Sequence, residues 1–429
     1  MNGHKTAEWI QSSSIYEVNL RQYSREGSFK AFEKELARLK DMGVTTLWFM
    51  PLTPISEKNK KGSLGSYYAC SDYTSVNPEF GSAADLKNLL KQARAIGFKI
   101  LIDWVANHTG WDHVWTVEHP GYFLKDTATA DFKMASGMED IIELDYKNPA
   151  LRKAMIDAMA FWINEFEIDG FRCDLAFWVE LGFWLEARRE LEKIKTLFWL
   201  GEFDPVDNPD YYQAFDAAYT WSWMHKTETF YKTDHQFGLL LQVLKQYRSV
   251  CAQKYIPVWF TSNHDENSWN GTEFEKYGEM ASLLAVFSFT WKGMPLIYSG
   301  QELPNKKRLQ FFEKDPLEWT GNCELHDFYK TLNALKKRNP ALRASDPAAE
   351  HIELDSNAEN CLVYLRKNGK FEVLTVLNFS NAPAFVKMED ALIHGRFVNI
   401  FNSLEMYPAE GDGLELPPWG WFVFEKVSA

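Results

Sequence analysis

The chain has 429 residues, 46% hydrophobic and 24% charged, with a mean hydropathy of −0.35. This composition excludes disorder, collagen and low-complexity architecture, and the length exceeds one compact core unless a large α/β barrel takes up most of it. A net charge of −13 repels phosphate backbones and anionic lipid, so neither nucleic acid nor a membrane is an expected partner.

IYEVNL (15–20) reads as the first short buried strand. From Phe29, apolar residues at Phe32, Leu36, Leu39 and Met42 keep helical spacing; Gly43 then ends the helix and VTTLWFMPL follows as a strand. The unit returns with Leu86, Leu89, Leu90, Ala93 and Ile96, then Gly97 and FKILIDWV, and Ser82 with Asp85 resembles a capping box. A third copy opens on Asn148–Pro149, an N-cap followed by proline at the first helical position, and leads through Leu151, Met155, Met159, Trp162 and Phe166 into IDGFRCD. LFWLGEF (197–203), AAYTW (217–221), IPVWFTSN (256–263) and MPLIYSG (294–300) bring the strands to eight. Eight strands alternating with helices predict an α/β fold closed as a (β/α)8 TIM barrel. An open doubly wound sheet is the alternative, and no GxGxxG supports its usual cofactor.

Two segments break the alternation. Residues 108–147 are too long for a βα loop and read as a subdomain inserted between the two parts of the barrel, 1–107 and 148–340. After Asn339–Pro340, CLVYLRKNGKFEVLTVLNFS reads as a hairpin with Asn368–Gly369 at its turn, and PPWGWFVFEK closes the chain. Residues 341–429 are therefore expected to form a C-terminal antiparallel β-sandwich. Trp419 and Trp421 there are either a sugar-binding surface or, the preferred reading, core. Five scattered cysteines (Cys70, Cys173, Cys251, Cys323, Cys361) give neither a disulfide framework nor a zinc site. MNGHKTAEWIQSSS lacks the charged and apolar regions of a signal peptide, and the apolar run Ala281 to Trp291 is too short for a bilayer, so a cytoplasmic protein is expected.

Chemistry in a barrel sits at the C-terminal strand ends. Residues two apart share a strand face, so Gly170, Arg172 and Asp174 point the same way. Inward, Gly170 leaves room and Arg172 keeps Asp174 ionised by lowering its pKa, as a nucleophile requires; a buried pair that only fixes strand register is the bland alternative. Glu202, after an apolar run and between Gly201 and Phe203, is expected to have a raised pKa and a proton to donate, unless it is a solvated loop glutamate. His264 and Asp265 both face a substrate only if their strand has already turned into loop; Asn263 or Asp265 as a cap is the bland alternative. Two carboxylates on neighbouring strands, one ionised and one protonated, are the minimum for glycosidic cleavage. Trp 17, Tyr 18 and Phe 31 supply core, and flat platforms for sugar faces.

In order and in strand position, DWVANH (103–108), GFRCD (170–174), LGEFD (200–204) and SNHD (262–265) resemble the four motifs of the α-amylase family of retaining glycoside hydrolases. GVTTLWFMPLTP, GSYYACSDYTSVNPEFGS, IIELDYKNPALR and GMPLIYSGQE extend the resemblance over nearly the whole chain. It implies Asp174 as nucleophile, Glu202 as general acid/base and Asp265 as transition-state stabiliser. It further implies Arg172 orienting Asp174, His108 and His264 on sugar hydroxyls, Tyr68 stacking on the sugar, and Asp103 and Asn107 bracing Arg172 and the insertion. Many members carry Lys-His after the nucleophile, where Phe177 and Trp178 stand here, which favours stacking on the leaving-group side. Members often hold calcium beside the insertion; Asn107, Asp112, Asp126 and Asp131 are candidate donors, but no ligand spacing singles them out, so no cofactor or metal is expected to be required. The activity implied is hydrolysis of α-1,4 bonds in maltooligosaccharides and starch-type α-glucans. An α-glucosyltransferase, an α-1,6-active relative and a non-catalytic sugar-binding barrel are the alternatives.

Overall fold

The computed structural model describes residues 6–251, 255–387, 392–408 and 413–427. Eight strands lie where the alternation places them: β1 (Ile15–Val18), β2 (Thr46–Phe49), β3 (Lys99–Trp104), β4 (Gly170–Cys173), β5 (Phe198–Gly201), β6 (Ala217–Tyr219), β7 (Ile256–Trp259) and β8 (Met294–Tyr298). All neighbours pair in parallel, and β1 pairs with both β2 and β8, so the sheet is a closed barrel rather than an open one.

Residues along each strand divide between two cores, as a side-chain period of two requires. Ile15, Trp48, Leu101, Phe198, Leu200, Ala217, Tyr219, Ile256, Val258, Met294 and Leu296 pack with one another inside the barrel. The intervening residues Tyr16, Leu47, Ile100, Ile102, Phe171, Trp199, Trp259 and Ile297 face the surrounding helices. The inner parity continues upward through Glu17, Asp103 and Arg172, so polar groups replace apolar ones at the top of the barrel.

The helix expected from Phe29 is two helices, Phe29–Glu33 and Leu36–Asp41. Between them the amides of Lys34 and Glu35 bond to the carbonyls of Ala31 and Phe32, a tightened turn that interrupts the ladder while Phe32, Leu36, Leu39 and Met42 stay buried. The helix Ala83–Ala95 carries the Ser82–Asp85 capping box, and Pro149–Phe166 is capped by Asn148. The segment after β3 forms a small ribbon in which residues 108–110 pair antiparallel with 141–143.

From 350 onward the chain builds a six-stranded antiparallel sheet, and the strands 384–387 and 413–416 form a second, two-stranded sheet. Val386 and Leu416 of the small sheet share a core with Leu365, Val376 and Phe424 of the large one. The hairpin turn is Gly369–Lys370 rather than Asn368–Gly369, because Asn368 still pairs with Phe371. Gly369, at φ +59°, supplies the positive φ that the first central residue needs. Among the described residues no helix is long and apolar enough to cross a membrane.

Candidate active site

Asp103 and Arg172 are register partners on β3 and β4. The fully buried Arg172 donates from Nη1 to Asp103 Oδ1 and to Asp174 Oδ1, each at 2.9 Å. Its Nη2 lies 2.9 Å from Glu202 Oε2 in an ion pair that lacks the angle of a directed hydrogen bond. Its Nε donates to Tyr219 Oη at 3.3 Å, and the guanidinium sits 5.0 Å from the centre of the Trp48 ring. One buried cation thus collects three carboxylates from three adjacent strand ends, a charge-assisted arrangement that holds each in place.

Burial dominates the electrostatics. It pushes Asp174 and Asp103 above the ordinary carboxylate range, more than Arg172 lowers them. Arg172 does lower Asp174, as expected, but the net shift is upward because the carboxyl is taken out of water, which a motif does not reveal. Glu202 follows its expectation, raised to about 7 by burial against the opposing charge of Arg172. Its Oε2 also accepts the amide of Leu175 at 2.9 Å, and Leu175 holds a left-handed φ of +39° directly after Asp174.

Gly170 has a different reason from the one expected. A Cβ there would lie 2.1 Å from the carbonyl oxygen of Phe198, so the glycine admits the β5 backbone rather than leaving space inside the barrel.

β7 ends at Trp259, and Asp265 lies where the chain has turned helical. Asn263 Oδ1 accepts the Glu266 amide at 2.8 Å, so Asn263 is the cap and Asp265 is free for the cavity. His264 bonds through Nδ1 to Glu17 Oε1 at 2.6 Å, and its Nε2 lies 2.7 Å from Tyr68 Oη and 3.3 Å from Asp265 Oδ2. Burial opposes the imidazolium, but Asp265 and Glu17 outweigh it and raise His264 well above its ordinary value. In return His264 and Arg172 overcome burial and lower Asp265. The Asp265 side chain is 38% exposed, against 9% for Asp174 and 8% for Glu202, so Asp265 is the most open of the three.

These groups line a cavity of about 460 Å³ with Tyr68 and His108. Tyr68 donates to Asp103 Oδ2 or pairs with His264, and its ring stacks on that of His264 at 5.3 Å. His108, lowered to about 4 by burial, is a neutral imidazole. Its Nδ1 lies 3.2 Å from Asn107 Nδ2, and its buried Nε2 has no protein partner. The Asn107 carbonyl accepts the Leu144 amide, tying the strand end to the insertion. Phe177 and Trp178 stand just outside the cavity lining, each 38% exposed, as an edge-to-face pair at 6.0 Å.

Asp112 accepts the amides of Glu57 and Lys58, and Asp126 accepts those of Ala128 and Thr129. Among the described residues no three acidic, histidine or cysteine side chains converge on a metal position.

Several lining residues escaped the sequence reading: Lys61 and Ser66 after β2, Met138, Asp140 and Ile141 in the insertion, Trp269 after β7, and Phe311 and Phe312 after β8. Phe311–Phe312, an aromatic pair in a polar stretch, was a usable signal, as was Glu17, an acid inside an apolar strand.

A closed (β/α)8 barrel whose strand ends gather paired carboxylates around one buried arginine defines a TIM-barrel glycoside hydrolase site. The α-amylase catalytic-domain model matches residues 12–136 and 122–347, and the maltogenic amylase C-terminal domain model matches 353–423. The chain belongs to the α-amylase family. It is 25% identical to a cyclomaltodextrinase of Geobacillus thermopakistaniensis, over 94% of this chain and 71% of that one. With an α-amylase of Haloarcula japonica the identity is 28%, over 88% of this chain and 57% of the relative. Among solved structures, a maltogenic α-amylase of Thermotoga neapolitana superposes with a TM-score of 0.88 at 28% identity, covering 98% of this chain and 100% of that one.

Proposed function

We propose that the chain is a retaining glycoside hydrolase that cleaves α-1,4 bonds in maltooligosaccharides and starch-type α-glucans. The observation that carries the reading is Arg172 holding Asp174 and Glu202 on its two terminal nitrogens at the floor of the cavity. A shared guanidinium draws the two carboxyls together, in the sense that double displacement requires. Asp174 attacks the anomeric carbon while Glu202 passes its proton to the departing glycosidic oxygen. Glu202 then takes a proton from water, whose oxygen displaces Asp174 from the sugar. Asp265, kept ionised by His264, accepts sugar hydroxyls and faces the positive charge that develops on the ring. The unpartnered Nε2 of His108 meets another hydroxyl, and Tyr68 offers its ring. The names of the relatives, cyclomaltodextrinase and maltogenic α-amylase, agree with an α-glucan substrate.

The exposed Phe177–Trp178 pair favours a second reading, in which a sugar stacked on the leaving-group side competes with water and the glycosyl group is transferred. Maltoheptaose and maltose, followed by chromatography and anomeric NMR with Asp174→Asn as control, test both. The expected outcome is shorter products appearing first as α-anomers, and their loss by at least roughly a thousandfold in Asp174→Asn. Products longer than the substrate would move the assignment to transfer, and no turnover of either sugar would overturn the reading.

We further propose that turnover needs no calcium, since Asp112 and Asp126 are engaged by backbone amides; dialysis against EDTA should leave kcat and Tm unchanged. A cytoplasmic setting is proposed on the five cysteines, all present as free thiols.

A further inference from the structure

The loop after β2, residues 56–66, crosses one side of the cavity mouth and is fastened at both ends. On the insertion side, Asp112 Oδ2 accepts the amides of Glu57 and Lys58, each at 3.0 Å, and Lys61 Nζ pairs with the buried Asp140 at 2.7 Å. Toward the loop after β8, Ser63 donates its amide to Glu313 at 2.8 Å, with its hydroxyl on the same carboxylate. The Leu64 amide reaches the Phe312 carbonyl at 3.1 Å, and Lys61 Nζ lies 6.0 Å over the Phe312 ring.

Glycine marks both crossings, because the backbones approach too closely for a side chain. A Cβ on Gly110 would lie 2.0 Å from Ser56 Cβ, and one on Gly62, at φ +63°, would lie 2.6 Å from Phe312 Cβ. The strap therefore spans the β8–β1–β2–β3 arc of the ring. Across the barrel, the β4–β5 arc carries Glu202 and, outside the cavity, Phe177 and Trp178. Glu202 is the proposed donor to the leaving oxygen, so the leaving-group side is the open side and the strap stands at the opposite end.

From this we infer that the site is a closed-ended pocket: the strap, locked by Lys61–Asp140 and Ser63–Glu313, stops the non-reducing end of an α-glucan, so the enzyme works inward from that end. The inference rests on the function proposed above and specifies which end of the substrate is read.

The test compares maltoheptaose with maltoheptaose carrying a 4,6-O-ethylidene group on its non-reducing glucose. The blocking group adds carbon where a wall stands, so the wild type should cleave it at least roughly tenfold more slowly. Lys61→Ala and Glu313→Ala each free one fastening and should raise the rate on the blocked sugar relative to the free one. Equal wild-type rates on the two sugars would overturn the closed end while leaving α-glucan hydrolysis intact. Discrimination that both variants retain in full would remove the strap as its cause. Failure to cleave either sugar would overturn the proposed hydrolysis itself, and the pocket with it.

Discussion

Glu202 and Asp174 share one guanidinium and are pushed the same way by burial, yet the proposed chemistry needs one protonated and the other ionised. Each receives one directed bond, Asp174 from Arg172 Nη1 and Glu202 from the Leu175 amide, so it is the balance of burial against these bonds and charges that separates them. Burial raises Asp174 to about 6 and Glu202 to about 7, so between those values Asp174 is charged while Glu202 still holds a proton. kcat/KM should therefore be bell-shaped, falling on the acid side as Asp174 is protonated and on the alkaline side from about pH 7 as Glu202 loses its proton. Glu202→Gln should reduce turnover by roughly 10²–10⁴-fold and remove the alkaline limb. Stability should move the opposite way. A carboxyl with a raised pKa stabilises the fold while protonated, and that contribution is lost as pH rises through the folded value. Glu202→Gln, neutral at every pH, should be more stable than wild type above pH 7 by about 1–3 kcal/mol, the gap closing below the ordinary glutamate range. Urea titrations at the two pH values check it.

At the scale of elements, β4 is the strand on which the site depends, since it carries Arg172 and ends in Asp174. Gly170 at its start lets the β5 backbone approach, and a methyl group there meets Phe198 O at 2.1 Å with nothing flexible to give way. Gly170→Ala should cost about 1–3 kcal/mol by overpacking and lower kcat as well, because the shift falls on the strand holding the charge cluster. Thermal melts with kcat measured on the same sample test both halves. β4 also illustrates what was legible beforehand. Its apolar neighbours, helix N-cap and polar strand end are local patterns, and the same holds for all eight barrel strands and for Asp174, Glu202 and Asp265. The sign of the Asp174 shift was not, because depth of burial belongs to the assembled barrel. Nor were Lys61, Asp140, Trp269 and Phe312, which come from loops without periodicity and meet only when four different strand ends are brought together. The break at Lys34–Glu35 was hidden for another reason: the apolar stripe runs on unchanged through the tightened turn.

The whole molecule couples the barrel to the C-terminal sheets through aromatic packing rather than through the cavity. Trp419, 7% exposed, sits 5.3 Å from Tyr231, 6.0 Å from His235 and 6.3 Å from Phe230. Trp421 packs on Phe401 at 4.6 Å and on Phe328 at 5.7 Å. Thr290 Oγ1 meets Tyr364 Oη at 2.6 Å, and the buried Arg366 donates to the Thr290 carbonyl at 3.3 Å. Trp419 is thus buried against barrel helices, as core is, and the half-buried Trp421 packs on Phe328 of the helix His326–Arg338. Removing a buried indole leaves a cavity that packed neighbours refill only partly, so Trp419→Ala should cost about 3–5 kcal/mol. None of its contacts touches the carboxylates, so kcat/KM on maltoheptaose should be unchanged below the lowered Tm. A sugar-binding platform would behave in the opposite way, losing retention on insoluble starch with no change in Tm. Measuring Tm, kcat/KM and starch pull-down on the one variant separates the two, because the packing role moves only the first.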